Sequence, residues 1–253
     1  MGILNITPDS FSDGGQFIEK LKIENRISKL IEEGADIIDI GGESTGPGSK
    51  DVSLEEEMSR VKPVIDYVFK QKLNKKVIFS IDTYKFEVAE YALRHGFQMV
   101  NDVTALRGDQ KMIEVLMQYK PYVILMYSKD PTPRTTSKSV EYKDVMDTIK
   151  TFLSERISVL VKAGFPKDRI IIDPGMGMFV SAKPEYSFEI INRLKELTEL
   201  GYPVCVGISR KSFLGGKVEE RDQISAKWSL KAIKNGADII RIHNIRQIRS
   251  YLN

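Results

Sequence analysis

The sequence has little cysteine, little histidine and no marked excess of charge, and each shortage excludes a class of function. Its 253 residues include one cysteine and two histidines, so a disulfide within the chain is impossible and a multi-histidine zinc site is nearly excluded. Lysine and arginine number 38 against 35 aspartates and glutamates, a balance too even for a nucleic-acid-binding protein. No apolar run is long enough to cross a bilayer, and the first residues lack the regions of a signal peptide. We therefore expect a cytoplasmic protein that binds neither nucleic acid nor membrane.

Short apolar runs rich in β-branched residues alternate with longer amphipathic stretches along the whole sequence. Nearly continuous apolar runs are typical of parallel strands covered on both faces. The candidate strands are Gly2–Ile6, Asp36–Ile40, Val77–Ile81, Met99–Val100, Tyr122–Met126, Ile170–Ile172, Val204–Ile208 and Ile239–Ile242. Such a series predicts an α/β fold, a single (β/α)₈ TIM barrel over residues 1–253, with an open doubly wound sheet as the alternative. The ring is favoured by Gly-Ala-Asp-Ile-Ile, which occurs at residues 34–38 and again at 236–240.

Amphipathic periodicity predicts helices between these strands. Val52–Lys72 carries its apolar residues on one face, and Ser53 followed by Glu56 is the pattern of a capping box. A similar period predicts one helix over Tyr186–Leu200. The Pro- and Thr-rich stretch Ser128–Ser139 predicts one long exposed loop after the fifth strand.

Polar side chains stand at the carboxyl ends of the candidate strands, where barrels of this kind carry their chemistry. Seven of the eight ends are polar, and they hold Asn5, Asp39, Asp82, Asn101, Asp173, Lys211, Arg241 and His243. Carboxylates and amides can exchange hydrogen bonds with a flat heterocycle that has amide and amino groups. The forked donors of Arg241 suit a phosphate group, which His243 and Asn5 can also contact. The pattern therefore indicates a site for a heterocycle with a diphosphate tail.

Each of these residues also has a structural interpretation. Barrels use polar residues at strand ends to cap loops, Lys211 alone could lie on the surface, and Arg241 alone could pair with Asp39 or Asp238. Cys205 lies in an apolar run and is expected to be a buried, inert thiol. An ordered polar set around nearly the whole ring is harder to explain by capping. No His-Glu-x-x-His motif and no Walker loop offers a competing chemistry.

The polar segments resemble, in order and over almost the whole chain, the signature segments of the dihydropteroate synthase family. Residues 2–15, Gly-Ile-Leu-Asn-Ile-Thr-Pro-Asp-Ser-Phe-Ser-Asp-Gly-Gly, look like the family's first and highly specific signature. Residues 39–45, Asp-Ile-Gly-Gly-Glu-Ser-Thr, look like the second. The segments 80–83, 101–103, 173–175, 209–211 and 241–243 also fit. The resemblance implies a TIM-barrel transferase of folate biosynthesis that joins a dihydropterin diphosphate to 4-aminobenzoate.

The resemblance also implies a role for individual residues. The pterin would be bound by Asp82, Asn101, Met126, Asp173, Gly207 and Lys211. The diphosphate would be bound by Asn5, Arg241 and His243, with Mg²⁺ on Asn5. The 4-aminobenzoate, or a sulfonamide that mimics it, would be bound by Phe11, Thr45, Pro47, Met178 and Ser212. Catalysis would depend on Asp82, Asp173, Lys211 and Asp13, the last of these in a closing first loop. The family further implies a homodimer.

Three positions near the expected aminobenzoate site depart from the family pattern. Gly46 stands where the family has Arg, Tyr127 where it has His, and Met178 where it has an aromatic residue. The departures leave two alternatives open. One is a pterin-binding homologue that uses aminobenzoate differently or not at all. The other is a pterin-dependent methyltransferase module, which would need a corrinoid partner.

Overall fold

Strands and helices alternate along the chain in a computed structural model that describes residues 1–6, 16–217 and 220–252 and, of residues 16–20, the backbone alone. The strands are β1 (Gly2–Asn5), β2 (Ile37–Gly41), β3 (Ile78–Asp82), β4 (Met99–Asp102), β5 (Tyr122–Met126), β6 (Ile170–Asp173), β7 (Cys205–Val206) and β8 (Ile239–Ile240). The α-helices are α1 (Gln16–Glu32), α2 (Leu54–Lys70), α3 (Phe86–Arg94), α4 (Met112–Tyr119), α5 (Val145–Lys162), α6 (Pro184–Asn192), α7 (Lys195–Thr198), α8 (Arg221–Lys234) and α9 (Ile245–Leu252). None of the helices within those ranges combines the length and the hydropathy of a membrane span.

The strands close into a ring of parallel neighbours. A continuous ladder joins β1 to β6 in sequence order, and β7 pairs with β8. Between β6 and β7 the backbone N–H of Ile172 donates to the Pro203 carbonyl over 2.9 Å. Between β8 and β1 the N–H of Ile3 donates to the Ile242 carbonyl over 3.1 Å. The predicted TIM barrel is therefore confirmed, and the open-sheet alternative is wrong.

The barrel interior is apolar at one end and polar at the other. Its apolar cluster consists of Met1, Ile37, Met99, Ile124, Ile171 and Cys205. Successive side chains of a strand point to opposite faces, so the residue two positions further on also points inward. Ile37 is followed in this way by Asp39, Met99 by Asn101, and Ile171 by Asp173. The strand period itself thus places the predicted polar residues inside the carboxyl end of the barrel. Cys205 is fully buried, as expected, and burial raises the pKa of its thiol.

The local predictions have mixed outcomes. Ser53 is the N-cap of α2, where its hydroxyl accepts from the Glu56 N–H over 3.2 Å. The single helix predicted over Tyr186–Leu200 is wrong, because the chain breaks at Arg193 and Leu194 into α6 and α7. The stretch Ser128–Ser139 is irregular as expected but not simply exposed, since Ser128 and Thr135 are each 3% exposed.

Candidate active site

An arginine held between two carboxylates lies inside the mouth of the barrel. The Nε of Arg241 donates to Asp39 Oδ2 and its Nη2 donates to Asp82 Oδ2, both over 2.6 Å. Asp39 is fully buried, and its Oδ2 also accepts from the Asn101 side-chain amide over 3.1 Å. The ends of β2, β3, β4 and β8 thus bring four polar side chains into one hydrogen-bonded group. Arg241 pairs with Asp39, as its structural interpretation predicted, and it also lies at the site.

Burial changes the ionisation of this group. The removal of Asp82 from water raises the pKa of its carboxyl to about 7, against the opposing effect of Arg241. The two carboxylates raise the pKa of Arg241, which stays charged at any pH the protein meets. The Oδ1 of Asp39 is buried without a hydrogen-bond partner in the described residues. The group therefore has acceptor capacity left for a ligand that donates hydrogen bonds.

A second acid and a lysine lie on the neighbouring strand ends. Asp173 is 5% exposed, and its Oδ1 accepts from the Gly175 N–H over 2.7 Å. Burial raises the pKa of Asp173 to about 6 and lowers the pKa of Lys211 to about 8, while each charge favours ionisation of the other. Lys211 Nζ donates to the Met176 carbonyl over 3.2 Å and lies 4.8 Å from the centre of the Phe179 ring. At pH 7 Asp173 and Lys211 are therefore both ionised, so that the carboxylate can accept hydrogen bonds and the ammonium can donate them at the mouth of the barrel.

His243 and Asn5 lie on the other side of Arg241. The Nδ1 of His243 is hydrogen bonded to Ser209 Oγ at 2.8 Å. Burial, followed by the charges of Arg210 and Arg241, lowers the pKa of His243 to about 4. His243 is therefore uncharged at pH 7 and can serve as a donor but not as a cation.

Two cavities meet at Asn5, the last residue of β1. The larger has a volume of about 740 Å³, and among its walls are Asn5, Thr45, Asp82, Phe179 and Arg241. The smaller, of about 580 Å³, is lined by basic side chains together with Asn5 and His243. Its basic residues are Arg26, Lys29, Arg210 and Arg246. Asn5 thus lies between a cavity lined by both acidic and basic residues and a second cavity lined mainly by basic ones.

The remaining pterin-binding predictions also fall at this mouth. Met126 ends β5, is 7% exposed, and is the register partner of Asp173 on β6. Gly207 follows β7, and a Cβ added there would lie 3.9 Å from the Cβ of Arg241. Asp102, by contrast, caps its own loop by accepting from the Thr104 and Leu106 N–H groups, each over 2.8 Å. It has a structural role.

The predicted aminobenzoate residues are less closely grouped. Thr45 lines the larger cavity, whereas Pro47 and Ser212 are exposed on two different loops and Met178 is half-buried on a third. Of the family departures, Tyr127 does not line this cavity: the residue is 5% exposed, and its ring packs edge-on to Phe152 of α5 at 5.2 Å. Phe11 and Asp13 lie outside the described residues.

Several residues around the cavity were not predicted from the sequence. Phe179 lines the cavity, and its ring lies against the ammonium of Lys211. The position of this aromatic residue shortly after Asp-Pro-Gly was a signal from which its place in the site could have been predicted. Glu43 also lines the cavity, with a side chain 3% exposed that accepts from Lys85 Nζ over 2.5 Å. Asp39 accepts hydrogen bonds from both Arg241 and Asn101. This double contact depends on strand register, which cannot be predicted from the sequence.

The described residues contain no group of three or more histidine, cysteine or acidic side chains suited to a metal ion. Asn5 offers one exposed amide oxygen at the junction of the two cavities. A single protein oxygen is compatible with Mg²⁺, which keeps most of its waters and is often held mainly by substrate phosphates.

Comparisons with known proteins point to one family. A profile described as "Pterin binding enzyme" matches residues 1–243. Dihydropteroate synthase of Streptococcus pyogenes is 41% identical over 252 residues, with 97% of this chain and 90% of the relative covered. The solved structure of Xanthomonas albilineans dihydropteroate synthase with 4-aminobenzoic acid is 37% identical with a TM-score of 0.89, covering 100% of this chain and 89% of that one. The Anaplasma phagocytophilum enzyme with bound 6-hydroxymethylpterin-monophosphate is 36% identical with a TM-score of 0.89, covering 98% and 94%.

Proposed function

The chain belongs to the dihydropteroate synthase family of pterin-binding enzymes, and from this premise we propose that it condenses 6-hydroxymethyl-7,8-dihydropterin diphosphate with 4-aminobenzoate. The products are 7,8-dihydropteroate and diphosphate. The observation that carries the proposal is the hydrogen-bonded Asp39–Arg241–Asp82 group, which has Asp173 and Lys211 near it and a basic cavity on the other side of Asn5. The pterin ring matches the acidic and amide side chains, and the diphosphate matches the basic ones.

The pterin would be recognised by the acids and amide of the strand ends. Asp82 and Asp173 would accept hydrogen bonds from its amino and ring N–H groups, and Asn101 can both donate and accept. Lys211 would donate to a ring acceptor. Met126 and Gly207 would bound the slot, with the absence of a side chain at Gly207 leaving room beside Arg241.

The diphosphate would be held by Arg241, His243 and Asn5. Arg241 supplies the charge, and the neutral imidazole of His243 supplies a hydrogen bond. Mg²⁺, held by Asn5 and the diphosphate oxygens, would neutralise charge on the leaving group when bound.

The proposed chemistry is a dissociative substitution. The bond between the pterin methylene carbon and the diphosphate oxygen breaks, and its electron pair leaves with the diphosphate stabilised by Arg241. The carbon left behind is a cation conjugated with the pterin, and the negative charges of Asp82 and Asp173 favour it in a site with little water. The aminobenzoate nitrogen then attacks this carbon, and the new ammonium group loses one proton to water. Lys211 positions the ring throughout.

The acceptor would lie toward the loops, against Thr45, Pro47, Met178 and Ser212. Phe11 and Asp13 stay predictions for the first loop, which would complete this half of the site and exclude water. Phe179, which lines the larger cavity, joins the proposed set.

The test combines binding with turnover. Calorimetry with the pterin diphosphate, then with 4-aminobenzoate added, should give sequential binding, and dihydropteroate should form. Asp82→Asn should lower kcat by at least about a hundredfold, since a charge beside the cation is lost. Lys211→Ala should weaken pterin binding about tenfold or more. Arg94→Ala, on the exposed surface of α3, is the control. Normal kcat in Asp82→Asn would contradict the proposed mechanism.

One alternative keeps the pterin half and changes the acceptor. Gly46 and Met178 motivate it, because both lie on loops next to the larger cavity. The burial of Tyr127 against α5 removes the third reason for it. Pterin diphosphate binding without turnover of 4-aminobenzoate would favour this alternative over the synthase. The comparisons favour the synthase over the methyltransferase module.

Homodimer formation, a cytoplasmic location and a single domain over the whole chain stay predictions. Sedimentation velocity at micromolar concentration tests the first directly. A species of twice the 28.7 kDa chain mass is expected.

A further inference from the structure

A short segment after β5, residues 129–136, is organised by its own hydrogen bonds, and we name it the β5 strap. Asp130 Oδ2 accepts from Lys129 Nζ over 2.8 Å, from Thr135 Oγ1 over 2.9 Å and from the Thr136 N–H over 2.8 Å. Lys129 Nζ also donates to the Thr136 carbonyl over 2.8 Å. Its side chain is only 3% exposed, although it is a lysine in a loop. A charged group so enclosed holds a fixed backbone geometry around it.

One side of the strap is bonded to the loop after β6. The Met178 carbonyl accepts from Lys129 Nζ over 2.6 Å and lies 2.7 Å from Thr135 Oγ1, whose single proton can be donated either to this carbonyl or to Asp130. The Lys129 N–H donates to the Phe179 carbonyl over 2.8 Å. Phe179 lines the larger cavity. The strap therefore sets the backbone from which one cavity wall projects.

The other side of the strap is bonded to the loop after β2. Arg134 donates to the Lys50 carbonyl from Nη2 over 2.7 Å and from Nε over 3.2 Å, and it pairs with Glu43 and Asp51. The Thr135 N–H donates to the Thr45 carbonyl over 3.1 Å. Lys50, Glu43 and Thr45 all line the larger cavity. Arg134 thus binds both Glu43 and Lys50, near the two ends of the β2 loop that forms the opposite wall of the cavity.

Glu43 anchors this contact to the barrel. Its Oε2 accepts from Lys85 Nζ over 2.5 Å, and the same ammonium donates to the fully buried Glu57 over 2.5 Å. Glu57 belongs to α2, so the guanidinium of Arg134 is connected through Glu43 and Lys85 to a helix of the outer ring. Burial raises the pKa of Glu57, and the ammonium of Lys85 opposes this effect.

We infer that Arg134 is a positioning residue for the acceptor half of the site, acting through the β2 loop, and that the β5 strap sets the width between the two cavity walls. The inference rests on the proposed function, because it takes 4-aminobenzoate as the molecule that lies between those walls. The pterin half depends less on Arg134, since Asp82, Asn101 and Asp173 project from strand ends. The expected signature is a change in acceptor affinity with pterin affinity preserved.

The experiment compares Arg134→Ala, Arg134→Lys and Lys138→Ala. Lys138 is exposed on the same loop and is the matched control. Arg134→Ala should raise KM for 4-aminobenzoate about tenfold and leave KM for the pterin diphosphate within about twofold. Arg134→Lys keeps the charge but not the fork, so an intermediate KM is expected. Lys138→Ala should match the wild-type chain.

A second measurement needs no substrate. Hydrogen–deuterium exchange of residues 43–52 should speed up at least about threefold in Arg134→Ala and stay unchanged in Lys138→Ala. Unchanged exchange would overturn the inference, as would faster exchange with an unaltered acceptor KM or equal changes in both KM values. A wild-type chain without turnover would contradict the proposed function instead, and the exchange comparison would still decide whether Arg134 holds the loop.

Discussion

The two halves of the mouth are built in different ways. Asp39, Asn101 and Asp173 are carried by β-strands, each two residues beyond an inward-facing apolar residue, and the ladder fixes where they point. The loop half depends on bonds between distant segments, such as those of Lys129 and Arg134. The strand half is thus as rigid as the barrel, whereas the order of the loop half depends on these hydrogen bonds between segments. It is in the loop half that the sequence departs from the family.

The largest effect is expected from removing the cation of the strand half. Arg241→Met leaves Asp39 and Asp82 without a positive partner, which should cost about 3–5 kcal/mol of unfolding free energy and abolish measurable turnover. Urea unfolding measures the first and product formation the second. Arg249→Met, at the exposed pair with Asp36, is the control and should cost less than about 1 kcal/mol. Equal losses in both variants would mean that the buried group has no special role.

A smaller effect is expected where the two halves touch. Gly175 has φ +67°, and a Cβ there would lie 2.4 Å from the Tyr127 carbonyl oxygen. Gly201 has φ +78° with nothing within 4 Å of such a Cβ. Gly201→Ala should therefore cost about 1 kcal/mol from backbone strain alone, and Gly175→Ala at least about 2 kcal/mol more. Denaturant unfolding of the two variants separates strain from contact, and similar losses would contradict the close approach.

The pH dependence of pterin binding sharpens the description of the strand half. Asp173, with a pKa of about 6, must be ionised to accept, and Lys211, with a pKa of about 8, must be protonated to donate. Asp82, with a pKa of about 7, must be ionised as well, so affinity should be greatest between about pH 7 and pH 8 and at least about tenfold weaker at pH 5. Calorimetry across this range should show the acid limb flattened in Asp173→Asn. An acid limb that persists unchanged would assign it to another group.

The raised pKa of Asp173 also affects the stability of the folded chain. The folded pKa of Asp173 lies above its ordinary value of 3.8, so the folded chain binds more protons than the unfolded chain between pH 4 and pH 6. The contribution of Asp173 to stability should fall as pH rises through this window and then stay constant. The change in unfolding free energy from pH 4.5 to pH 7 should therefore be more favourable to the folded state in Asp173→Asn than in the unaltered chain. A less favourable change in the variant would contradict the assignment.

The smallest effect is expected at Tyr127, the family departure that faces the barrel wall. Its hydroxyl is 3.1 Å from that of Tyr142, which donates to the Val180 carbonyl over 2.6 Å. Tyr127→Phe should cost about 1 kcal/mol or less and leave KM for 4-aminobenzoate within about twofold. Thermal unfolding and initial rates measure the two quantities. A large rise in acceptor KM would place Tyr127 in the site after all.

The strand half could be predicted from the sequence because period-two side-chain alternation and strand ends are local signals. For Arg241 the sequence named Asp39 and Asp238 as possible partners but could not choose between them, and it did not indicate Asp82. Asp39 and Asp82 lie 202 and 159 residues away, and only the register of the ring selects them. Asp238, the other candidate, instead accepts from the Val204 N–H over 2.8 Å. The strap was predicted as an exposed loop because composition does not reveal that Lys129 and Arg134 have partners 49 and 84 residues away.

The most direct test is a crystal structure with the pterin diphosphate bound. We expect the pterin ring among Asp82, Asn101, Asp173 and Lys211, with the diphosphate against Asn5, Arg241 and His243. A ligand bound elsewhere, or a ring that contacts the β5 strap and makes no hydrogen bond to the strand-end acids, would contradict this arrangement.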